Sequence, residues 1–240
     1  MLLANALMGK EDVSVRMLFD NDLRGEHAPF GIQNVAEIGL KEFGVFPGQW
    51  YGINCMSLVM ESLNRKFTPV SNFNICTFQD GNINFFKIAA AGCKDLKLNL
   101  SYSIIDTSQV NKPSVWQNWV LVIVANRFGI KNVATEYYPA IKRFMKLPSF
   151  VGLIGGKPNS AYYFCGLIEA PTEHLTESVE PIDQLLFLDP HIVRASSDTN
   201  SCSDPKTLQM SELDPCMSFG FLVKSEKEFL QLQKQLREGI

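Results

Sequence analysis

The residues best suited to chemistry are an imidazole and a carboxylate two positions apart, in the run Leu188-Asp189-Pro190-His191 at the end of an apolar stretch. In an extended segment, residues i and i+2 project to one face, so Asp189 and His191 can point the same way. The intervening proline fixes one backbone angle and stiffens the pair. A carboxylate beside an imidazole selects its tautomer and stabilises its charged form, which is the base-and-orienter half of a hydrolytic triad. Asp-x-His also arises by chance, so its surroundings matter. The run from Gly152 to Ser160 reads as a strand that ends in a glycine-rich, proline-containing loop. Such loops line clefts, although the same composition also makes a plain β-turn.

The remaining candidate groups are cysteines and histidines. Six cysteines, Cys55, Cys76, Cys93, Cys165, Cys202 and Cys216, are scattered with no C-x-x-C pair, which argues against a disulfide scaffold or a zinc site. No cofactor or metal is expected, and free thiols fit a reducing cytoplasm. Cys76 and Cys165 fall in apolar strands and read as inert core thiols. Cys202 and Cys216 flank a polar stretch and are candidates for oxidation. His27 and His174 read as solvated loop residues, and Leu213-Asp214-Pro215 as a structural turn.

The elements that must position these groups follow from periodicity. Ile32 to Phe43 repeats apolar residues at helical spacing, stopped by Gly44 and Pro47-Gly48; Met56 to Leu63 marks a second helix. Phe73 to Phe78 alternates as a half-buried strand, and Ile83 to Ala91 suggests a short helix. Leu96 to Val110 is ambiguous. Trp119 to Ala125 is a core strand, and Thr135 is expected to cap a helix ending near Met145. Strand-like runs follow at Phe150–Ile154, Ala161–Ile168, Leu185–Leu188 and Met217–Val223. Ser225 then caps an amphipathic helix carrying Phe229, Leu230, Leu232 and Leu236. Residues 194–209 are rich in Ser, Asp, Thr and Asn and are expected to form a mobile loop. Helices come first and strands cluster later, so the fold class is α+β, one domain over residues 1–240.

Composition narrows the function classes. The chain has 240 residues, 46% hydrophobic and 20% charged, with a net charge of −3. That offers no basic footprint for nucleic acid, and the longest apolar run is far too short for a transmembrane segment. The start has no basic n-region, so a signal peptide is not expected. Met1 to Met8 is apolar without a wide polar face, and reads as the later turns of a buried helix whose beginning is missing.

Several spaced motifs carry a specific resemblance. Gly155-Gly-Lys-Pro-Asn-Ser-Ala-Tyr-Tyr-Phe164, Leu188-Asp-Pro-His191 and Leu213-Asp-Pro215 stand in the order seen in the autophagins. These are papain-like cysteine proteases that act on the ubiquitin-like modifier of autophagy. Gly48-Gln-Trp-Tyr-Gly52 is similar to that family's regulatory tryptophan segment, and Ser218-Phe-Gly-Phe221 to its late strand. The resemblance covers essentially the whole chain. It implies a papain-like fold with a small regulatory lobe, and a cysteine endopeptidase that cleaves the modifier after a C-terminal glycine and releases it from phosphatidylethanolamine.

By position, the resemblance makes His191 the base and Asp189 its orienter. Trp50 becomes the side chain that narrows the substrate groove, and Lys157, Pro158, Asn159 and Ser160 the loop that lifts when the substrate tail enters. Only a tail without a side chain passes a narrow groove, which suits a glycine. The family's nucleophile opens a buried helix within Gly-Trp-Gly-Cys-Met, and Met1-Leu2-Leu3 resembles that helix's continuation. The expected partner is the modifier, free and lipid-linked, and the expected state is monomeric and cytoplasmic. The chain as written is expected to lack the nucleophile, to be inactive alone and to be marginally stable. Cys55, near a helix start in Gly52-Ile-Asn-Cys-Met56, is the one tempting substitute, but the family holds a non-catalytic residue there. A different reading is a short form that binds the modifier without cutting it.

Overall fold

The computed structural model describes residues 1–7, 15–93, 115–157, 160–169, 183–190 and 206–238. In chain order these form α1 (Leu2–Leu7), α2 (Val15–Leu18), α3 (Ile32–Phe43), α4 (Ile53–Phe67), β1 (Phe73–Phe78), α5 (Phe85–Gly92), β2 (Trp119–Arg127), α6 (Tyr138–Met145), β3 (Phe150–Lys157), β4 (Ser160–Ile168), β5 (Gln184–Leu188), β6 (Lys206–Gln209), β7 (Cys216–Val223) and α7 (Glu226–Arg237). The strands make one sheet in the order β1-β2-β7-β3-β4-β5-β6. Only β1 and β2 pair in parallel; the other pairs are antiparallel. The fold is α+β, as the order of elements suggested.

Alternation in the central strands sorts the core into two. Val120, Val122 and Val124 of β2, with Met217, Phe219, Phe221 and Val223 of β7, pack with α5, α6 and α7. Leu121, Ile123 and Leu222 face the other way, against α1, α3 and α4. Period-two side chains thus give a sheet buried on both faces, which explains the near-continuous apolar run of β2.

The outer edge of β1 is closed by side chains. The Glu61 carboxylate accepts the Thr77 N–H at 2.8 Å and pairs with Lys87 at 2.6 Å, and Asn64 reaches the Phe73 carbonyl. Shielding of this kind keeps an edge from pairing with other chains.

Several local expectations need correction. Thr135 caps nothing: residues Thr135–Tyr137 form a 3-10 turn without a side-chain cap, and α6 begins at Tyr138 with Pro139 in its first turn. Proline is suited there because its missing N–H has no partner to lose. Within the supposed mobile stretch 194–209, Lys206–Gln209 is an edge strand paired with β5; residues 194–205 lie outside the described residues. Its one buried side chain, Leu208, left too little pattern to read. Ser225 does cap α7, accepting the Glu228 N–H at 3.3 Å, but Leu230 faces outward. The ambiguous 96–110 stretch lies outside the described residues.

Candidate active site

β1, β2, β3 and β5 run one way and β4, β6 and β7 the other, so one end of the sheet collects the ends of the first set and the starts of the second. Asp189 follows β5 at this end, half-buried, beside the exposed Pro190. The preceding Leu188 pairs with Tyr163 and packs into the core on the α1 face. His191 lies outside the described residues, as do Pro158, Asn159, His174 and Cys202.

Lys157 and Ser160 are the closing pair of the β3–β4 hairpin at the same end. Gly156 at its base has φ +157, and a Cβ there would stand 1.9 Å from the Ser160 carbonyl oxygen, so only glycine permits this close approach. The Lys157 ammonium donates to Glu212 at 2.8 Å. That hydrogen bond holds the Glu212 carboxyl below the usual range, aided by the Gln209 N–H. The Gly156 carbonyl accepts the Asp214 N–H at 2.8 Å, and Asp214 in turn accepts the Cys216 N–H. Leu213-Asp214-Pro215 is therefore a turn, as its sequence implied.

α4 runs against β1: Ser57 accepts from Thr77 near the end of β1, while Asn64 reaches Phe73 at its start. The beginning of α4, immediately after Trp50 and Tyr51, therefore lies at the same end of the sheet as Asp189. Trp50 sits on the α3–α4 connection with 60% of its surface exposed. Helix α1 crosses the sheet on the same face. Leu2 lies over Gly220, whereas Asn5 donates to the Val151 carbonyl at 2.8 Å and the Tyr163 hydroxyl at 2.9 Å. Gly220 pairs with Gly152, one residue nearer than Val151 to the Asp189 end. The first turn of α1 is thus directed toward that end.

Three of the described thiols are shifted away from activation. Burial pushes Cys55 up, pushes Cys76 up to about 12, and raises Cys216, where the Asp214 carboxylate adds to it. A nucleophilic thiol needs the opposite shift. Cys165 corrects the sequence reading: it is exposed, because β4 changes register between Phe164 and Gly166. His27 is exposed in a 3-10 turn. Among the described residues no group of three or more His, Cys, Asp or Glu side chains could hold a metal, and no helix is long and apolar enough to cross a membrane.

Sequence reasoning missed Glu212 as the partner of Lys157, and Asn5 as the side chain that ties α1 to β3 and β4. Asn5 was detectable as the lone polar group within the apolar run Met1–Met8.

A mixed sheet with helices on both faces, one of them a buried apolar helix, is the layout of a papain-like peptidase. The model of the peptidase C54 catalytic domain matches residues 7–235, and the chain belongs to that family, the autophagins. It is 29% identical to cysteine protease ATG4A of Bos taurus over 222 residues, covering 83% of this chain and 52% of that protein. Cysteine protease ATG4A of Mus musculus is 31% identical, over 83% of this chain and 51% of that protein. Cysteine protease ATG4B of Gallus gallus is 27% identical, over 87% and 55%. The chain spans about half the length of the curated relatives it matches.

Proposed function

We propose that this chain belongs to a cysteine endopeptidase that cleaves the ubiquitin-like autophagy modifier after a C-terminal glycine and releases it from phosphatidylethanolamine. His191 takes the thiol proton and later protonates the leaving amine; Asp189 orients His191. The nucleophilic cysteine stands on the helix that α1 continues, outside residues 1–240. Trp50 narrows the groove, and Lys157, Pro158, Asn159 and Ser160 form the loop above it. The enzyme is a cytoplasmic monomer.

One observation carries this reading: Asp189, Lys157, Ser160, the Trp50 segment and the first turn of α1 share one end of the sheet, although they come from four separate stretches of chain. The raised thiols of Cys55, Cys76 and Cys216 make these three poor nucleophiles. The free cysteines suit a reducing compartment.

The test is cleavage of a modifier precursor by the protease that contains this chain, with His191→Ala and Asp189→Asn compared against the parent. Loss of a general base lowers turnover by about 10²- to 10⁴-fold. Cleavage by His191→Ala within about threefold of the parent rate overturns the assignment, since a general base is worth far more. Tight association with the modifier and no cleavage by the parent protein favours instead a form that binds without cutting, for which the exposed Trp50 is the natural contact.

A further inference from the structure

Tyr51 has no role in the chemistry above, yet its surroundings are unusual. Its ring lies against the backbone of α3 at Gly39: a Cβ there would stand 2.0 Å from the phenol oxygen and 2.6 Å from two ring carbons. Gly39 also accepts the Val45 N–H at 3.0 Å, and Gly44 ends α3 in the left-handed conformation. One residue of α3 therefore receives both ends of the segment that carries Trp50. Between those ends, Gln49 and Phe46 exchange two hydrogen bonds: the Gln49 N–H to the Phe46 carbonyl at 3.0 Å, and the Phe46 N–H to the Gln49 side-chain oxygen at 2.8 Å. The segment is a closed loop with a rigid tip and a single seat.

The seat is flawed in one respect. The Tyr51 hydroxyl is enclosed and has no hydrogen-bond partner among the described residues. Burial of the ring favours the seated position, while a desolvated hydroxyl without a partner opposes it. Burial also pushes the phenol above its ordinary range, with the Cys55 thiol one turn along α4 adding to the effect. A ring held by shape and opposed by its own hydroxyl is balanced between leaving and staying, whereas a fully bonded tyrosine would be locked.

We propose that Tyr51 is the positioning residue that sets Trp50, and that its unpartnered hydroxyl keeps residues 44–52 ready to swing off α3 when a substrate tail enters. This rests on the reading of Trp50 as a groove wall. The substrate-facing consequence is that the depth of the groove is set at the contact between Tyr51 and Gly39, away from the reacting atoms. Opening exposes the phenol to water, so the movement recovers the hydration that seating removes.

Hydrogen exchange on the full chain tests this without any substrate. Peptides spanning residues 44–56 are compared with control peptides from β2 and β7. Tyr51→Phe keeps the ring and removes the hydroxyl, so exchange in 44–56 slows by about tenfold, the effect of one unpartnered buried hydroxyl. Gly39→Ala drives the ring from its seat and speeds the same amides, and Tyr51→Ala does likewise; the controls stay unchanged. Acrylamide quenching of Trp50, isolated by difference from Trp50→Phe, moves in the same directions. Exchange in Tyr51→Phe as fast as in the parent overturns the proposal, and this variant carries the test if Gly39→Ala does not fold. Slowing in the controls as much as in 44–56 also overturns it, because the effect is then global stability. If exchange behaves as expected while Trp50→Ala leaves cleavage after glycine untouched, the anchor stands and the groove reading falls.

Discussion

Replacing Gly220 by alanine tests the seating of α1, on which the direction of that helix toward Asp189 depends. The added Cβ would stand 2.4 Å from Leu2 Cδ1, 2.9 Å from Cδ2 and 3.0 Å from Cγ. Gly220 pairs with Ile123 on one side and Gly152 on the other, so its backbone cannot retreat. Leu2 is 5% exposed, so its side chain has no solvent to turn into. Leu2, or the helix that carries it, must shift. Overpacking of this kind costs about 1–3 kcal/mol. In a chain of this size 1 kcal/mol moves the midpoint by about 2–4 °C, so the expected fall is roughly 2–12 °C. Leu2→Ala alone opens a cavity and costs about 2–5 kcal/mol. Because each change relieves the other, the double variant is more stable than the two losses added, by about 1 kcal/mol or more. Urea unfolding of the parent, both single variants and the double variant measures that coupling. Additivity within about 0.5 kcal/mol means Leu2 does not lie over Gly220, and the described direction of α1 fails with it.

Glu61→Gln removes the charge that accepts the Thr77 N–H and pairs with Lys87, and should lower stability by about 1.5–3 kcal/mol in urea unfolding, with loss concentrated at the β1 edge. The raised Cys76 thiol stabilises the fold below its unfolded value near 9, and that contribution is lost as pH rises toward about 12. Stability of the parent should therefore decline more steeply over that window than that of Cys76→Ala. In native protein Cys165 should react with iodoacetamide well before Cys76, read by mass spectrometry of the alkylated peptides. Trp50→Ala should change stability by no more than about 0.5 kcal/mol, since the ring is mostly exposed, so any large change in cleavage reports on the groove.

The elements most legible in the sequence are those whose pattern and burial agree. β2 and β7 are apolar because both faces of the sheet are covered, and the Ser225 cap of α7 is a local signal that the fold respects. β6 escaped notice because an edge strand with only Leu208 buried looks like a polar loop. Thr135 misled because the helix starts three residues later, at Tyr138, with Pro139 in its first turn. Cys165 alternates as a core residue would, and the register change after Phe164 turns it outward. At the candidate site, Asp189 and Trp50 were singled out by motif, whereas the contacts of Glu212, Asn5 and Tyr51 were not legible. Their partners, Lys157, Tyr163 and Gly39, lie 12 to 158 positions away in the chain, and no local pattern encodes such a meeting.

The strand order has a consequence for how the molecule is made. β2 and β3 are not neighbours in the sheet; each is bound to β7, the last of these seven strands in chain order. Until β7 is made, the nascent chain holds two separate half-sheets, each with a raw apolar border awaiting the same missing strip. Synthesis must reach β7 before the halves join, and an arrest before Cys216 would leave both borders open to chaperones or to neighbouring chains.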